Sequence, residues 1–288
     1  MIVDAHHHFW NTTRNPLPWM TPDHGAIDGI FEPATLAPSL AAHRIDRTVL
    51  VQGASLDSDT DYLFELADRI TWVGAVTAWL PLAEPSRCRR RLAELVHRSK
   101  FRAVRHLIHD EPDPHWIMKP EVLESLALVA ESRLILELPV VFPHHFRDTA
   151  ELAVRFPDLR LVIDHLGKPP IGSDRMDEWE ALIRSCASHE NVYAKISGLN
   201  TAIGRADWDA GDLIDPVTVA IDSFGPDRLM CGSDWPVALL NGDYDRVWGT
   251  LVDVLERVAP DGVPLILGET ARDLYELDET IGRAAAAG

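Results

Sequence analysis

Short apolar runs alternate along the chain with segments in which apolar residues recur at helical spacing. Eight runs rich in valine, isoleucine and leucine have the length of a strand. They lie at residues 2–8, 48–52, 72–79, 103–108, 134–141, 159–165, 192–197 and 228–233. Helical spacing predicts helices at residues 35–43, 59–69, 87–97, 121–131, 147–156, 177–188, 215–224, 244–258 and 270–277.

This alternation predicts an α/β fold. Strand starts recur about every 25 to 45 residues, the length of one βα unit, and eight units predict a closed (β/α)₈ TIM barrel. The alternative is an open doubly wound sheet, which would place a glycine-rich turn after the first strand, and none is present. No linker or composition break divides the chain, so we expect one domain over residues 1–288, with a frayed alanine-rich tail at 284–288.

Composition narrows the class of partner. The 288 residues include 27 Lys+Arg and 45 Asp+Glu, a formal net charge of −18, so nucleic acid and anionic membranes would be repelled. With 46% hydrophobic and 25% charged residues, the composition is that of a globular protein. A small-molecule ligand is the expected partner, and a homo-oligomer is compatible with the sequence.

Cysteine usage and the amino terminus bear on location. Cys88, Cys186 and Cys231 are far apart and form no CxxC pair, which is typical of free thiols in a reducing compartment. We find neither a basic segment followed by a signal-like apolar stretch nor about 18 consecutive apolar residues. A cytoplasmic protein is therefore the expectation.

The carboxyl ends of barrel strands carry the active site, so the polar residues that end each apolar run are the candidates. Strand alternation predicts that Asp4, His6 and His8 share one face. Two imidazoles at this spacing can bind one metal ion, and Asp234, at the end of the last run, could complete the site or act as a base. Core histidines or a tag remnant, and a helix N-cap at Asp234, are the structural alternatives.

Four further predicted strands end in or contain ionisable residues. His165 ends the sixth run and is a candidate catalytic residue, or a structural histidine bonded to a loop carbonyl. Glu137 lies within an apolar run, so we expect either a metal ion or a cationic partner, Arg105 or Lys195. The two cations could instead bind an oxygen of a substrate.

Candidate pocket residues are mostly aromatic. Flat apolar faces at strand ends could line a site for a sugar-like ring, although core packing is the commoner role. The candidates for substrate contact are Arg105, His106, Gln52, Lys195, Trp10, Trp79 and Trp235, with Trp19 nearby.

Five segments, IVDAHHHFW, VRHLIHDEPDPHW, LVIDHLGKP, VYAKISGL and DRLMCGSDWPV, resemble the amidohydrolase-related lactonase family of the amidohydrolase superfamily, which includes L-fuconolactonases and L-rhamnonolactonases. The resemblance runs from residue 2 to about residue 277 and implies an amidohydrolase-like (β/α)₈ hydrolase. It implies that Asp234 is the general base and that His6, His8 and His165 surround the attacked carbonyl.

The resemblance also bears on metal binding. Members of the lactonase family differ in metal use. The resemblance therefore implies at most one divalent ion, which we expect to be Zn²⁺, and leaves metal-independent catalysis open. The metal ligands would be His6, His8 and Asp234, with Glu137 as a further candidate. Glu137 stands where many members of the superfamily have a metal-binding histidine, and no bridging lysine is evident.

These observations predict a hydrolase that opens an aldonolactone such as L-fucono- or L-rhamnonolactone. Asp234 would activate water, and Asp234 or His165 would protonate the leaving ring oxygen. The sequence contains no G-x-S-x-G motif, so it gives no indication of a serine that attacks the substrate covalently. The alternatives are a lactone of the sulfonated muconolactone or pyrone dicarboxylate type, a metal-dependent decarboxylase, and a barrel that only binds a ligand.

Overall fold

Eight parallel strands form one sheet that curves into a barrel in the computed structural model, which describes residues 1–278. The tail predicted to fray, residues 284–288, lies outside the described residues. The strands are β1 Val3–His7, β2 Arg47–Val51, β3 Val73–Ala78, β4 Phe101–Arg105, β5 Ile135–Leu138, β6 Leu161–Ile163, β7 Val192–Ile196 and β8 Leu229–Cys231.

Each strand pairs with the next in chain order. A bridge between His7 and Trp235 joins the last strand to the first, with the Trp235 carbonyl accepting from His8 N at 2.7 Å. The predicted (β/α)₈ barrel is confirmed.

Helices cover the outside of the barrel. They are α1 Pro33–Ala42, α2 Asp57–Ala67, α3 Pro85–Leu95, α4 Pro120–Glu131, α5 Phe146–Arg155, α6 Met176–Ala187, α7 Leu199–Ile203, α8 Ala210–Phe224, α9 Tyr244–Val258 and α10 Thr270–Tyr275. Helix α8 begins before the predicted residue 215, because the Asp209 side chain accepts from Gly211 N and caps an earlier turn. Within residues 1–278, no helix is long and apolar enough to cross a membrane.

Apolar side chains form separate clusters inside the barrel and between the sheet and the helices. The cluster inside the barrel bears on the position of the site. It is formed by small and branched side chains at alternate strand positions, among them Val3, Ala5, Val49, Val51, Ala75, Ala103, Ile135, Val162 and Met230. Burying a valine or isoleucine side chain contributes about 1.5–3 kcal/mol. Tyr275 and Leu274 of α10 pack into this cluster, while Arg102 and Arg160, near the starts of β4 and β6, donate to their carbonyls. Helix α10 therefore closes the amino-terminal end of the barrel and leaves the carboxyl end for the site.

The first strand departs from simple alternation. Its register with β2 shifts between Asp4 and His7, which is a β-bulge. Ala5 packs inside the barrel with Val3, whereas the Asp4 carboxylate accepts from Ser233 and from Tyr244 of α9. The prediction that Asp4 shares the face of His6 and His8 was wrong, because a bulge breaks the two-residue period.

Candidate active site

Three imidazoles converge on one carboxylate at the carboxyl end of the barrel. Oδ1 of Asp234 lies 3.4 Å from Nε2 of His8, 3.7 Å from Nε2 of His6 and 3.9 Å from Nε2 of His165. All four residues are buried, and they come from the end of β1 and from the turns after β6 and β8. The structure brings together the residues that the sequence predicted as metal ligands and as catalytic groups, except Glu137.

The backbone at this cluster is strained. His165 and Asp234 have φ angles of 56° and 57°, in the left-handed region that L-residues enter at a cost of about 1–2 kcal/mol. Gly198, after β7, packs directly against both side chains. A Cβ at this position would lie 2.8 Å from Asp234 Oδ2 and 2.8 Å from His165 Nδ1. The absence of a side chain at Gly198 is what lets the two groups approach each other.

The outer ring nitrogens hold the imidazoles in place. Nδ1 of His8 lies 2.9 Å from the Val51 carbonyl oxygen. Because a carbonyl only accepts, this nitrogen carries the proton, and Nε2 is the ring nitrogen that faces Asp234. Nδ1 of His165 lies 2.8 Å from Ser197 Oγ.

Two of the imidazoles and the carboxyl group differ in charge at pH 7: His6 and His165 are neutral, and Asp234 has lost its proton and is negative. Burial lowers the pKa of His6 well below its usual value and the pKa of His165 to about 4, so both rings are neutral at pH 7. Burial alone would raise the pKa of Asp234, but its interactions with His165 and His8 outweigh this and lower the pKa. Asp234 is therefore an ionised carboxylate beside the neutral imidazoles of His6 and His165.

His6, His8 and Asp234 fit a single zinc ion. Their nearest ligand atoms are 3.3, 3.4 and 3.7 Å apart, close to the edge of about 3.4 Å of a tetrahedron with Zn–N distances near 2.0–2.1 Å. Oδ1 of Asp234 is buried and accepts no hydrogen bond from the residues that the structure describes. Two imidazoles and one carboxylate leave a fourth position for a substrate oxygen.

Glu137 lies apart from this group of ligand atoms. Its Oε2 accepts from Lys195 Nζ at 2.5 Å, and its Oε1 accepts from the hydroxyls of Thr77 and Tyr275, each at 2.6 Å. Glu137 and Lys195 are completely buried, and Lys195 Nζ also lies 3.2 Å from His6 Nδ1. The sequence left open a metal ion or a cationic side chain as the partner of Glu137, and the structure shows the cationic side chain of Lys195.

Asp164 is a site residue that the sequence analysis missed. Its carboxylate lies 3.0 Å from Arg105 Nε, 3.3 Å from His6 Nδ1 and 3.5 Å from Lys195 Nζ. Burial opposes its ionisation, but His6 and the two cations hold the pKa of this carboxyl well below its usual range. The signal was available: a second acidic residue, directly before His165, ends an apolar run.

A pocket of about 430 Å³ opens above the cluster. Loops after the strands line it with His8, Trp10, Trp19, His24, Ile27, Gln52, Gly53, Arg105, Leu107, His109, Asp110, Pro139, His165, Lys168, Thr201, Asp234, Val237 and Leu240. Three predicted substrate-contact residues, Arg105, Gln52 and Trp10, are among them. Trp19, which donates its indole N–H to the Gly53 carbonyl at 2.6 Å, lies on the loop after β1.

Four other predicted contact residues are placed outside the pocket lining. Trp79 donates its indole N–H to His106 Nδ1 at 2.9 Å, and the same imidazole stacks on Trp116 with ring centroids 4.0 Å apart. Trp235 packs against Phe9 and Phe31 with ring centroids 6.0 and 5.5 Å apart. The fourth, Lys195, lies below the pocket beside Glu137. Sequence analysis also passed over His24, His109 and Lys168, which line the pocket, because strand ends alone do not show which loop residues fold back over the site.

Comparisons with known proteins agree with this geometry. The family model described as amidohydrolase matches residues 3–277, and the chain belongs to that family, as its motifs predicted. It is therefore an enzyme of the hydrolase class. An L-fucono-1,5-lactonase from Burkholderia ambifaria is 34% identical, with 97% of each chain covered, and an enzyme of the same name from Burkholderia multivorans is 31% identical, with 96% of each covered. A crystal structure of an amidohydrolase from Burkholderia multivorans with bound zinc superposes with a TM-score of 0.89 at 30% identity, covering 96% of this chain and 100% of that one.

Proposed function

We propose that this protein is a lactonase that hydrolyses a sugar aldonolactone of the L-fucono- or L-rhamnono- type. The observation that carries the proposal is the convergence of His6, His8 and His165 on Asp234 at the floor of a pocket that is closed below. This arrangement supplies an ionised base beside the neutral imidazoles of His6 and His165, which suits hydrolysis of an activated ester. The similarity to two L-fucono-1,5-lactonases over nearly the whole chain supports the substrate class.

The pocket lining supports a neutral ring as the substrate. Its charged members are two cations, Arg105 and Lys168, and two carboxylates, Asp110 and Asp234, so their formal charges cancel. A doubly charged lactone would require an excess of cations in the lining. Trp19 is partly exposed and offers apolar surface to the face of a sugar ring, and the buried Trp10 meets it edge to face, with centroids 5.7 Å apart.

The reaction follows from the positions of the groups. Asp234 accepts a proton from a water molecule, and the water oxygen forms a bond to the lactone carbonyl carbon. The bond from this carbon to the ring oxygen then breaks, and Asp234 or His165 returns the proton to that oxygen. A zinc ion bound by His6, His8 and Asp234 would supply Lewis-acid polarisation of the carbonyl. No covalent intermediate is needed, and the three cysteines are buried.

A substrate panel tests the proposal. Proton release is measured with L-fucono-1,5-lactone, an L-rhamnonolactone, a pyrone dicarboxylate and a sulfonated muconolactone, and carbon dioxide release is measured with dihydroxybenzoates. We expect turnover of the sugar lactones and no decarboxylation. Turnover of an anionic lactone without turnover of a sugar lactone would overturn the substrate assignment.

A further inference from the structure

Residues 165–168, at the end of β6, form one turn with left-handed backbone angles. The φ angles of His165, Leu166, Gly167 and Lys168 are 56°, 51°, 69° and 53°, and Lys168 N donates to the His165 carbonyl at 2.9 Å. L-residues normally adopt this conformation singly, not in succession. Three non-glycine residues in one such turn carry an energetic cost that the surrounding structure must offset.

The middle of the turn is held by the core. The Leu166 carbonyl accepts from the Trp179 indole N–H at 2.8 Å, and the Gly167 carbonyl accepts from Phe142 N at 2.9 Å. A Cβ at Gly167 would collide with the ring of Phe146. The two ends of the turn, His165 and Lys168, both line the pocket. The strained turn thus presents a lysine beside a candidate catalytic histidine.

Helix termination does not explain the conformation of Lys168. Arg44 and Arg133 are also left-handed, but each is a single residue just after the end of a helix, α1 or α4, where such a residue is common. Lys168 instead follows a strand and ends a run of four. Glycine or asparagine would adopt its backbone angles at lower cost, so the fold alone does not account for a lysine.

The ammonium group of Lys168 has no partner within residues 1–278. The residue as a whole is half-buried, and among the described residues Lys168 forms no ion pair and no side-chain hydrogen bond. The other lining cation, Arg105, lies 3.0 Å from a carboxylate oxygen of Asp164. An ammonium group in the pocket lining with three free donors is suited to an oxygen ligand that enters the pocket.

We infer that Lys168 is a substrate-recognition residue whose ammonium group binds oxygen atoms of the lactone and the carboxylate that ring opening creates. This inference rests on the proposed lactonase function. The reaction converts a neutral lactone into an anion, and Lys168 is the lining cation with no carboxylate in contact among the described residues. Its interaction with the carboxylate product is therefore the stronger of the two.

The first experiment uses Lys168→Met with L-fucono-1,5-lactone as substrate and L-fuconate, its hydrolysis product, as ligand. Hydrogen bonds to charged groups are stronger than those between neutral groups, so we expect KM to rise about tenfold with kcat nearly unchanged. The dissociation constant of L-fuconate, measured by calorimetry, should rise by a larger factor. Lys168→Arg should recover part of both losses.

The second experiment separates recognition from folding. Lys168→Gly removes the side chain and relieves the backbone, so its Tm should equal or exceed that of the unchanged protein, while KM rises as in Lys168→Met. Arg44→Gly is the matched control, because Arg44 is an exposed left-handed residue far from the pocket lining. Like Lys168→Gly, Arg44→Gly should have a Tm equal to or above that of the unchanged protein, but its KM should equal that of the unchanged protein.

The outcomes distinguish this inference from the proposed function. If the unchanged protein hydrolyses the lactone and Lys168→Met has the same KM and the same affinity for L-fuconate, the inference is overturned and the lactonase function stands. A fall in kcat of about 100-fold at constant KM would also overturn it, because Lys168 would then act in the chemical step. If the unchanged protein neither hydrolyses the lactone nor binds L-fuconate, both fail.

Discussion

Nζ of Lys195 lies 2.5 Å from Oε2 of Glu137, and both side chains are completely buried in the barrel. Removing one partner leaves the other charge buried and uncompensated. We expect Glu137→Gln to lower the free energy of unfolding by about 3–5 kcal/mol, measured by urea denaturation.

A double-mutant cycle tests whether this loss belongs to the pair. Glu137→Gln combined with Lys195→Met should be about 1–3 kcal/mol more stable than the sum of the two single changes predicts. Strictly additive changes would show that the two residues act independently.

Asp234 is the proposed base, and Asp234→Asn keeps its shape while removing the charge that accepts a proton. We expect kcat with the sugar lactone to fall by at least about 100-fold, the usual scale for a positioned general base. Thermal unfolding should show that the variant remains folded. Turnover equal to that of the unchanged enzyme would place the base elsewhere.

The proposed zinc site can be tested by metal content. Protein purified without a tag should contain one zinc per chain, and His8→Ala should lose it. His7→Asn is the control, because the His7 ring lies 2.8 Å from Thr48 Oγ1 and takes no part in the His6–His8–Asp234 group. Equal zinc in the His8→Ala and unchanged proteins, determined by elemental analysis, would refute the ligand assignment.

Gly198 is needed for the close approach of Asp234 and His165. Gly198→Ala should lower kcat at least about tenfold, because a methyl group 2.8 Å from both side chains displaces them and small misplacements of reacting groups are costly. Gly204→Ala is the matched control. Gly204 has a similar φ of +70° and no atom within 4 Å of the added carbon, so this variant shares the backbone strain but should keep kcat. Equal kcat values for the two variants would contradict the steric argument.

Stability should depend on pH through buried neutral histidines. Burial is the main cause that lowers the pKa of His7 from 6.5 to about 3. Below pH 6.5 the unfolded chain binds a proton that the folded chain excludes, so this contribution to stability is present at neutral pH and declines as the pH falls. Between about pH 6 and pH 4, His7→Asn should reduce the slope of unfolding free energy against pH by up to about 1.4 kcal/mol per unit. An unchanged slope in urea titrations would contradict this.

Sequence analysis located the eight strands from local periodicity, and the general rule for barrels then predicted a site at their carboxyl ends. The pairing of His6 with His8 followed from a spacing of two residues within one strand. Asp234 was selected as a candidate base or metal ligand because a carboxylate that ends a long apolar run requires an explanation. The strand positions, the His6–His8 pair and the selection of Asp234 each use information contained in a few neighbouring residues.

Only the tertiary structure decided which side chains contact one another. Whether Glu137 bonds to Lys195 or a metal depends on side chains that meet across the barrel. The bulge that turns Asp4 away from His6 arises where β1 meets β2 and β8, and the turn that presents Lys168 depends on contacts with Trp179 and Phe142. Such contacts join residues far apart in the chain, so no local pattern encodes them. The sequence by itself determined which groups end the strands, and packing decided which of them face the pocket and which neutralise one another.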